Sequence, residues 1–168
     1  MKIIAFAGSP SKKSINKKLA AYAAGLFEHA EVEVLDLNDY EMPLFSVDKE
    51  VIIGQHPLAK ELLDKIATAD ILVVSLAENN GNYSAAFKNT VDWCSRINAK
   101  IFQEKPMLLM ATSPGARGGA SVLEIAKNNF PRFDFLNYPN LTFEKADMNA
   151  FPNLGLAFDA MKKGGNMP

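Results

Sequence analysis

The sequence predicts a three-layer α/β/α sandwich with a central parallel sheet of about five strands. Short apolar runs recur along the chain, as in strands buried on both faces of a sheet, and longer segments of helical character lie between them. Because a parallel pair of strands needs a connection of a dozen residues or more, this alternation implies right-handed crossovers. The 168 residues are enough for about one domain, so we expect a single domain over residues 1–168.

Five apolar runs predict the strands. Each of the first four is about five or six residues long, which is typical of a strand that is covered on both faces. The fifth run is weaker than the others. The predicted strands cover residues 3–7, 32–37, 71–76, 107–111 and 141–143.

Five segments between and after the strands predict helices. Residues 17–27 and 58–69 carry apolar side chains at i, i+3 and i+4 spacing, the pattern of a helix laid on a sheet. Residues 84–97 have apolar side chains at mixed spacings, which predicts that this helix meets a partner chain as well as its own sheet. Residues 121–129 and 154–163 complete the set.

Two segments lack a clear period. Residues 40–56 are predicted to form a long loop with a short helical turn, and long loops in such domains are often functional. Residues 162–168 are polar and glycine-rich, so we expect them to fray.

Composition excludes several classes of function. The chain has 18 Lys and Arg against 19 Asp and Glu, so a wholesale basic surface for nucleic acid is excluded. No apolar run is long enough to cross a bilayer, and we expect no membrane partner. Cys94 is the only cysteine, which suits a buried thiol in a cytoplasmic protein. His29 and His56 have no partner at metal-ligand spacing, so no metal site is predicted.

A polar segment follows the first strand and leads directly into a helix. Residues 8–16 combine a glycine with three serines, and donors at a helix N-terminus favour an anion such as a phosphate monoester. The alternative is an ordinary helix start, with Ser14 as the N-cap and with Lys12 and Lys13 solvated. The segment has neither a Walker A pattern nor a Gly-x-Gly-x-x-Gly pattern.

Two more polar loops follow the third and fourth strands, at residues 78–84 and 112–119. The glycines of the second of these loops allow a backbone to approach a flat ligand closely. Since the carboxyl ends of parallel strands meet at one edge of a sheet, we expect all three loops to converge there on a ligand.

In order and spacing, these loops and the helix after the third strand resemble the NADPH-dependent FMN reductase family of flavodoxin-like proteins, which includes bacterial quinone, azo-dye and chromate reductases. The resemblance covers about residues 2–130 and implies a flavodoxin-like sheet of order 2-1-3-4-5. It also implies noncovalent FMN, NADPH or NADH as hydride donor, and a homodimer or dimer of dimers. The residues that carry it are Gly8-Ser9, Ser14, Asn16, Glu78, Asn80-Gly81, Lys88-Asn89, Asp92-Trp93, Ser113-Pro114-Gly115 and Arg117-Gly118-Gly119.

The resemblance assigns a role to each loop. The first would hold the FMN phosphate, the second would lie along the isoalloxazine, and the third would face its pyrimidine end, where backbone N–H groups stabilise negative charge. No side chain is expected to be catalytic, because flavin N5 carries the chemistry. Asn89 and Trp93, with Lys88, are expected to serve helix packing, loop bracing and the dimer face. The implied cofactor-binding residues are Ser9, Ser11, Ser14, Ile15 and Asn16; Glu78, Asn79, Asn80 and Tyr83; and Ser113, Pro114, Gly115 and Gly118.

Three positions depart from the family pattern. Ser11 stands where the family often has Arg, so the phosphate would rely on hydroxyls, the helix dipole and Lys12 or Lys13. Asn79 replaces an aromatic residue that would cover the flavin. Ala116 replaces one arginine of a pair in the third loop, so NADPH and NADH both remain open as donors.

The function that the resemblance implies is an FMN-dependent NAD(P)H oxidoreductase. It would pass two electrons to a small-molecule acceptor, such as a quinone, an azo compound or free flavin. The alternatives are a flavodoxin-type electron carrier, which would bind FMN without oxidising NAD(P)H, and a divergent flavodoxin-like dimer without catalysis. A hydrolase using Ser9 or Ser113 has little support, because the chain has no Gly-x-Ser-x-Gly elbow.

Overall fold

A parallel β-sheet forms the centre of the computed structural model, which describes residues 1–114, 117–133 and 135–136. Four of its strands have five residues or more, and the fifth has two. A separate two-stranded hairpin follows the third strand. In chain order the strands are β1 (Lys2–Gly8), β2 (Glu31–Leu35), β3 (Ile71–Leu76), β4 (Glu78–Asn79), β5 (Asn82–Tyr83), β6 (Lys105–Ala111) and β7 (Phe135–Leu136).

The order of the main sheet is β2-β1-β3-β6-β7, with every neighbouring pair parallel. Numbered along this sheet alone, it is the predicted order 2-1-3-4-5, so the flavodoxin-like arrangement is confirmed. The fifth strand lies at Phe135–Leu136, and the strand predicted at residues 141–143 lies outside the described residues.

Helices cover both faces of the sheet. On one face, α1 packs with Leu19 and Ala23 against Ile3 and Val73. On the other face, α3, α4 and α5 pack in one cluster with residues of β1, β3 and β6. The helix predicted at residues 154–163 and the C-terminal residues 162–168 lie outside the described part. The helices are α1 (Ile15–Gly25), α2 (Val47–Ile53), α3 (Pro57–Ala67), α4 (Ala85–Ile97) and α5 (Ala120–Asn129).

The segment predicted as a loop with one helical turn contains more structure than expected. A 3-10 turn, Leu37–Tyr40, follows β2, and residues 41–46 then lead without regular secondary structure into the two-turn helix α2. We call residues 41–56 the strap, because they cross the outer side of α4. No residue of α2 is buried in the chain.

The strap covers the second apolar face of α4. The fully buried Trp93 ring meets Phe45 edge-on, with ring centroids 5.1 Å apart, and its Nε1 donates to the Pro43 carbonyl at 2.7 Å. The Asn89 amide accepts from Phe45 N at 2.8 Å and donates to the Met42 carbonyl at 3.0 Å. The second apolar face of α4, from which a contact with a partner chain is predicted, is therefore covered by residues of the same chain. The loop-bracing role of Asn89 and Trp93 is confirmed.

Cys94 lies in the core, on the side of α4 that faces α3. Burial raises the pKa of its thiol to about 12, and Sγ lies 3.7 Å from the Ala59 carbonyl oxygen. This agrees with the prediction of a buried, unreactive thiol. Among the described helices, none combines the length and the apolar character needed to cross a bilayer.

Candidate functional site

A cleft of about 280 Å³ opens at the carboxyl edge of β1, β3 and β6. Its walls come from the three loops that follow these strands, as the sequence predicts. The cleft is lined by Ser9, Ser11, Lys13, Ser14, Ile15, Asn16, Ala77, Glu78, Asn79, Thr112, Ser113 and Pro114.

The first loop brings hydroxyl groups to the N-terminus of α1. Ser14 is the N-cap, and its Oγ accepts from Lys17 N at 3.1 Å. Ser9 Oγ accepts from Ser11 N at 3.3 Å. Both hydroxyls keep a proton to donate to a ligand, and the first N–H groups of α1, those of Ile15 and Asn16, have no partner within the helix. This donor set suits an anion.

The Asn16 side chain points into the protein. Its Oδ1 accepts from Ser75 Oγ at 2.7 Å and from Thr112 N at 2.9 Å, and its Nδ2 donates to the Thr112 carbonyl at 2.9 Å. These buried bonds join the start of α1 to the ends of β3 and β6. Thr112, which the predicted set lacks, therefore forms the floor between the first and third loops.

The charges around the first loop are not equivalent. The Lys17 ammonium pairs with Asp36 at 2.5 Å, and this hydrogen bond, helped by the backbone N–H of Asn38, holds the pKa of Asp36 below its usual value. Lys13 lines the cleft, whereas Lys12 does not line it.

The second loop is a β-hairpin. Asn80 and Gly81 both have positive φ, at 51° and 76°, which is the conformation of a two-residue turn of type I′. Only a polar loop is predicted at this position. The Asn-Gly pair is the sequence signal that indicates the hairpin turn. Asn79 lines the cleft, whereas Asn80 and Tyr83 line an adjacent cleft together with Ile125 of α5.

The Tyr83 ring stands between Phe87 of α4 and Phe130, at centroid distances of 5.5 and 6.2 Å. Burial among these rings raises the pKa of its hydroxyl. In the described structure, Tyr83 therefore packs the hairpin onto the body of the protein, and it lines the adjacent cleft, which shares Asn79 with the first.

Glu78 ties the hairpin to the third loop. Its Oε2 accepts from Val122 N at 3.1 Å in the first turn of α5, where a carboxylate is favoured by the helix dipole. Gly118 and Gly119 precede this helix, both with positive φ. Gly115 lies outside the described residues.

The cleft thus brings together most of the predicted cofactor-binding residues and Lys13, one of the two lysines expected near the phosphate. It adds two residues that the prediction lacks, Ala77 and Thr112. The side chains of Asn16 and Glu78 are bonded to other loops, which the sequence order alone did not reveal. In the part of the chain that is described, no group of three His, Cys, Asp or Glu residues could hold a metal ion.

A second groove, of about 400 Å³, is lined by Pro10, the residue between Ser9 and Ser11 of the first cleft. It runs between the strap and the N-terminal half of α4 and is largely apolar. Its walls include Leu37, Tyr40, Met42, Leu44, Ala85 and Ala86.

Residues 1–147 match the family model of the NADPH-dependent FMN reductases. The chain is 29% identical over 156 residues to an NADPH:quinone oxidoreductase of Arabidopsis thaliana, covering 90% of this chain and 76% of the plant protein. It is 27% identical over 162 residues to an NAD(P)H-dependent FMN reductase of Pseudomonas aeruginosa, covering 95% and 85%. The solved structure of FerB, a flavoenzyme NAD(P)H:(acceptor) oxidoreductase from Paracoccus denitrificans, superposes with a TM-score of 0.68 at 24% identity, over 96% of this chain and 95% of that one.

Proposed function

The chain belongs to the NADPH-dependent FMN reductase family, and we propose that the cleft at the carboxyl edge of its sheet binds FMN. The protein has a flavodoxin-like fold and is a flavin-dependent oxidoreductase with NADPH or NADH as donor. We further propose that residues 1–168 form a single domain that works in the cytoplasm, where its one cysteine stays reduced.

The observation that carries the proposed site is the donor set at the start of α1. The hydroxyls of Ser9, Ser11 and Ser14 line the cleft beside the N-terminus of an 11-residue helix. Hydroxyl groups, unpaired backbone N–H groups and the positive end of a helix dipole are what a phosphate monoester requires. The residues therefore fit the phosphate of FMN.

The opposite wall fits the flavin ring. Asn79 and Ser113 supply amide and hydroxyl groups for its polar edge, and Pro114 adds an apolar surface. Glu78 holds this wall together by capping α5. The other residues implied by the resemblance, Asn80, Tyr83, Gly115 and Gly118, remain proposals for the ring end of the site.

The chemistry that bound FMN supplies is the uptake of a hydride from reduced nicotinamide and the delivery of two electrons to an oxidised acceptor. The protein's part is to hold and orient the ring and to set its electrostatic surroundings, so we propose no side chain as nucleophile, acid or base. Relatives named quinone reductase and azoreductase support quinones and azo compounds as acceptors, and a relative named FMN reductase supports free flavin as a third.

The test is a visible absorption spectrum of the full chain after incubation with FMN and gel filtration. We expect a retained flavin band that NADPH or NADH bleaches under anaerobic conditions and that a quinone restores. A retained band that neither nucleotide bleaches would favour an electron carrier. Absence of any retained flavin would contradict the proposal.

We also propose that the protein is a homodimer, and that the surface responsible is α2 with Leu44 rather than α4. Leu44, Val51 and Ile52 are 72%, 81% and 79% exposed, and Val47 lies beside them. A cluster of exposed aliphatic side chains on one short helix is costly in water unless a partner covers it. The family resemblance implies that this partner is a second copy of the chain.

A further inference from the structure

The first loop and α1 carry four lysines near the proposed phosphate position. Ser11 stands where the family often has arginine, so one of these lysines is needed if the phosphate is to meet a cationic side chain. The lysines are Lys12, Lys13, Lys17 and Lys18. Their surroundings distinguish them.

Lys17 already forms an ion pair with Asp36. The other oxygen of Asp36 accepts from Asn38 N at 2.9 Å, so the carboxylate is fixed beside the Lys17 ammonium. Lys12, Lys13 and Lys18 are all exposed, but Lys12 and Lys18 do not line the cleft. Lys13 lines the cleft with Ser11 and Ser14, and none of the ion pairs between described residues includes it.

Asn16 also lines the cleft, yet its amide keeps only one N–H to offer a ligand. Both its Oδ1 and its Nδ2 bond to the end of β6, and Oδ1 additionally accepts from Ser75. Because an amide oxygen has two lone pairs, these two donors saturate it. The arrangement fixes the position of α1 relative to the third loop.

We propose that Lys13 is the cationic contact of the FMN phosphate, and that Asn16 is a positioning residue that holds the two walls of the cleft in register. This inference rests on the proposed function. Lysine is a mobile point charge without the fixed fork of arginine, so Lys13 recognises the charge of the phosphate rather than its shape. Removing it affects FMN and leaves riboflavin, which has no phosphate, unaffected.

The experiment is a fluorescence titration of the flavin-free full chain with FMN and, separately, with riboflavin. For Lys13→Gln we expect the affinity for FMN to fall about tenfold, because a charge-assisted contact is lost, and the affinity for riboflavin to stay unchanged. Lys12→Gln makes the same change of charge one residue away and is the matched control, for which both affinities should stay at the wild-type values. Added salt should weaken FMN binding less in Lys13→Gln than in the wild type.

Ser75→Ala tests the role of Asn16 without touching the cleft. Ser75 is buried in β3 and donates to Asn16 Oδ1, so its removal loosens the positioning contact. We expect the affinities for FMN and riboflavin to fall by the same factor, leaving their ratio at the wild-type value, and Asn16→Ala should act the same way and more strongly.

Two results would overturn the inference: an unchanged ratio of FMN to riboflavin affinity in Lys13→Gln, or a loss confined to FMN in Asn16→Ala. Either result would leave the proposed function standing, provided that the wild type binds FMN. A wild-type chain that binds neither flavin would instead overturn the proposed function and this inference with it.

Discussion

At Gly119, the turn into α5 has no space for a side chain. A Cβ there would lie 2.8 Å from the Cβ of Ala111 at the end of β6, and the φ of 93° is one that L residues rarely adopt. Only glycine at position 119 therefore allows the third loop to turn into α5 so close to the end of β6.

Gly119→Ala is expected to lower the free energy of unfolding by about 2 kcal/mol or more, because strain at positive φ adds to the contact with Ala111. Urea denaturation followed by circular dichroism measures this. Gly25→Ala is the matched control: it lies in α1, and a Cβ added there would meet nothing within 4 Å, so the same change should stabilise the protein slightly. Equal effects of the two substitutions would contradict the argument.

The residue types of the site were predictable, but their orientations were not. Serines and a glycine between a strand and a helix predict an anion-binding loop whatever surrounds them. Whether Asn16 and Glu78 face a ligand or another loop depends on Thr112 and Val122, which lie 96 and 44 residues away along the chain. No local pattern contains that information.

Among the secondary-structure elements, α4 shows that an apolar pattern does not identify what covers it. Its apolar side chains lie on two faces, as the spacing indicates, but the strap covers the second face. The strap escaped prediction because its contacts come from Pro43, Phe45 and the short helix α2, which follow no common period. Tertiary contacts of this kind depend on the path that residues 41–56 take across α4, which no local sequence pattern specifies.

Asn89→Ala is expected to release the strap. The substitution removes the acceptor of Phe45 N and the donor to the Met42 and Pro43 carbonyls, which should cost about 1–3 kcal/mol in the free energy of unfolding. Limited proteolysis should then cut residues 41–56 faster than in the wild type. Lys88→Ala, which removes only an exposed ion pair with Asp92 on the same helix, should leave the cutting rate unchanged.

For the whole molecule, the alternation of strands and helices was enough to predict the layers. The order of the strands needed the family resemblance, because hydrophobic periodicity does not encode which strands are neighbours. The observed order, β2-β1-β3-β6-β7, places the ends of β1, β3 and β6 side by side. That adjacency is what brings three loops, distant in sequence, around one cleft.

The assembly of the molecule gives a further prediction. Ile52→Lys should convert the proposed dimer to a monomer at micromolar concentration, because a charge would be buried in an aliphatic contact. Light scattering measures the mass. Asp48→Asn changes a charge on the same helix without placing one among the aliphatic side chains, and should leave the mass at that of a dimer. A wild-type mass of 18.4 kDa would contradict the dimer itself.

Trp93 is the only tryptophan of the chain, and it lies where the strap meets α4. Its ultraviolet emission therefore reports on this one contact, with no background from other indoles. Movement of the strap should expose the ring to water and shift its emission to longer wavelength, while unfolding elsewhere that spares α4 should not. The protein thus carries a built-in optical probe of its own strap, separate in wavelength from the visible bands of a bound flavin.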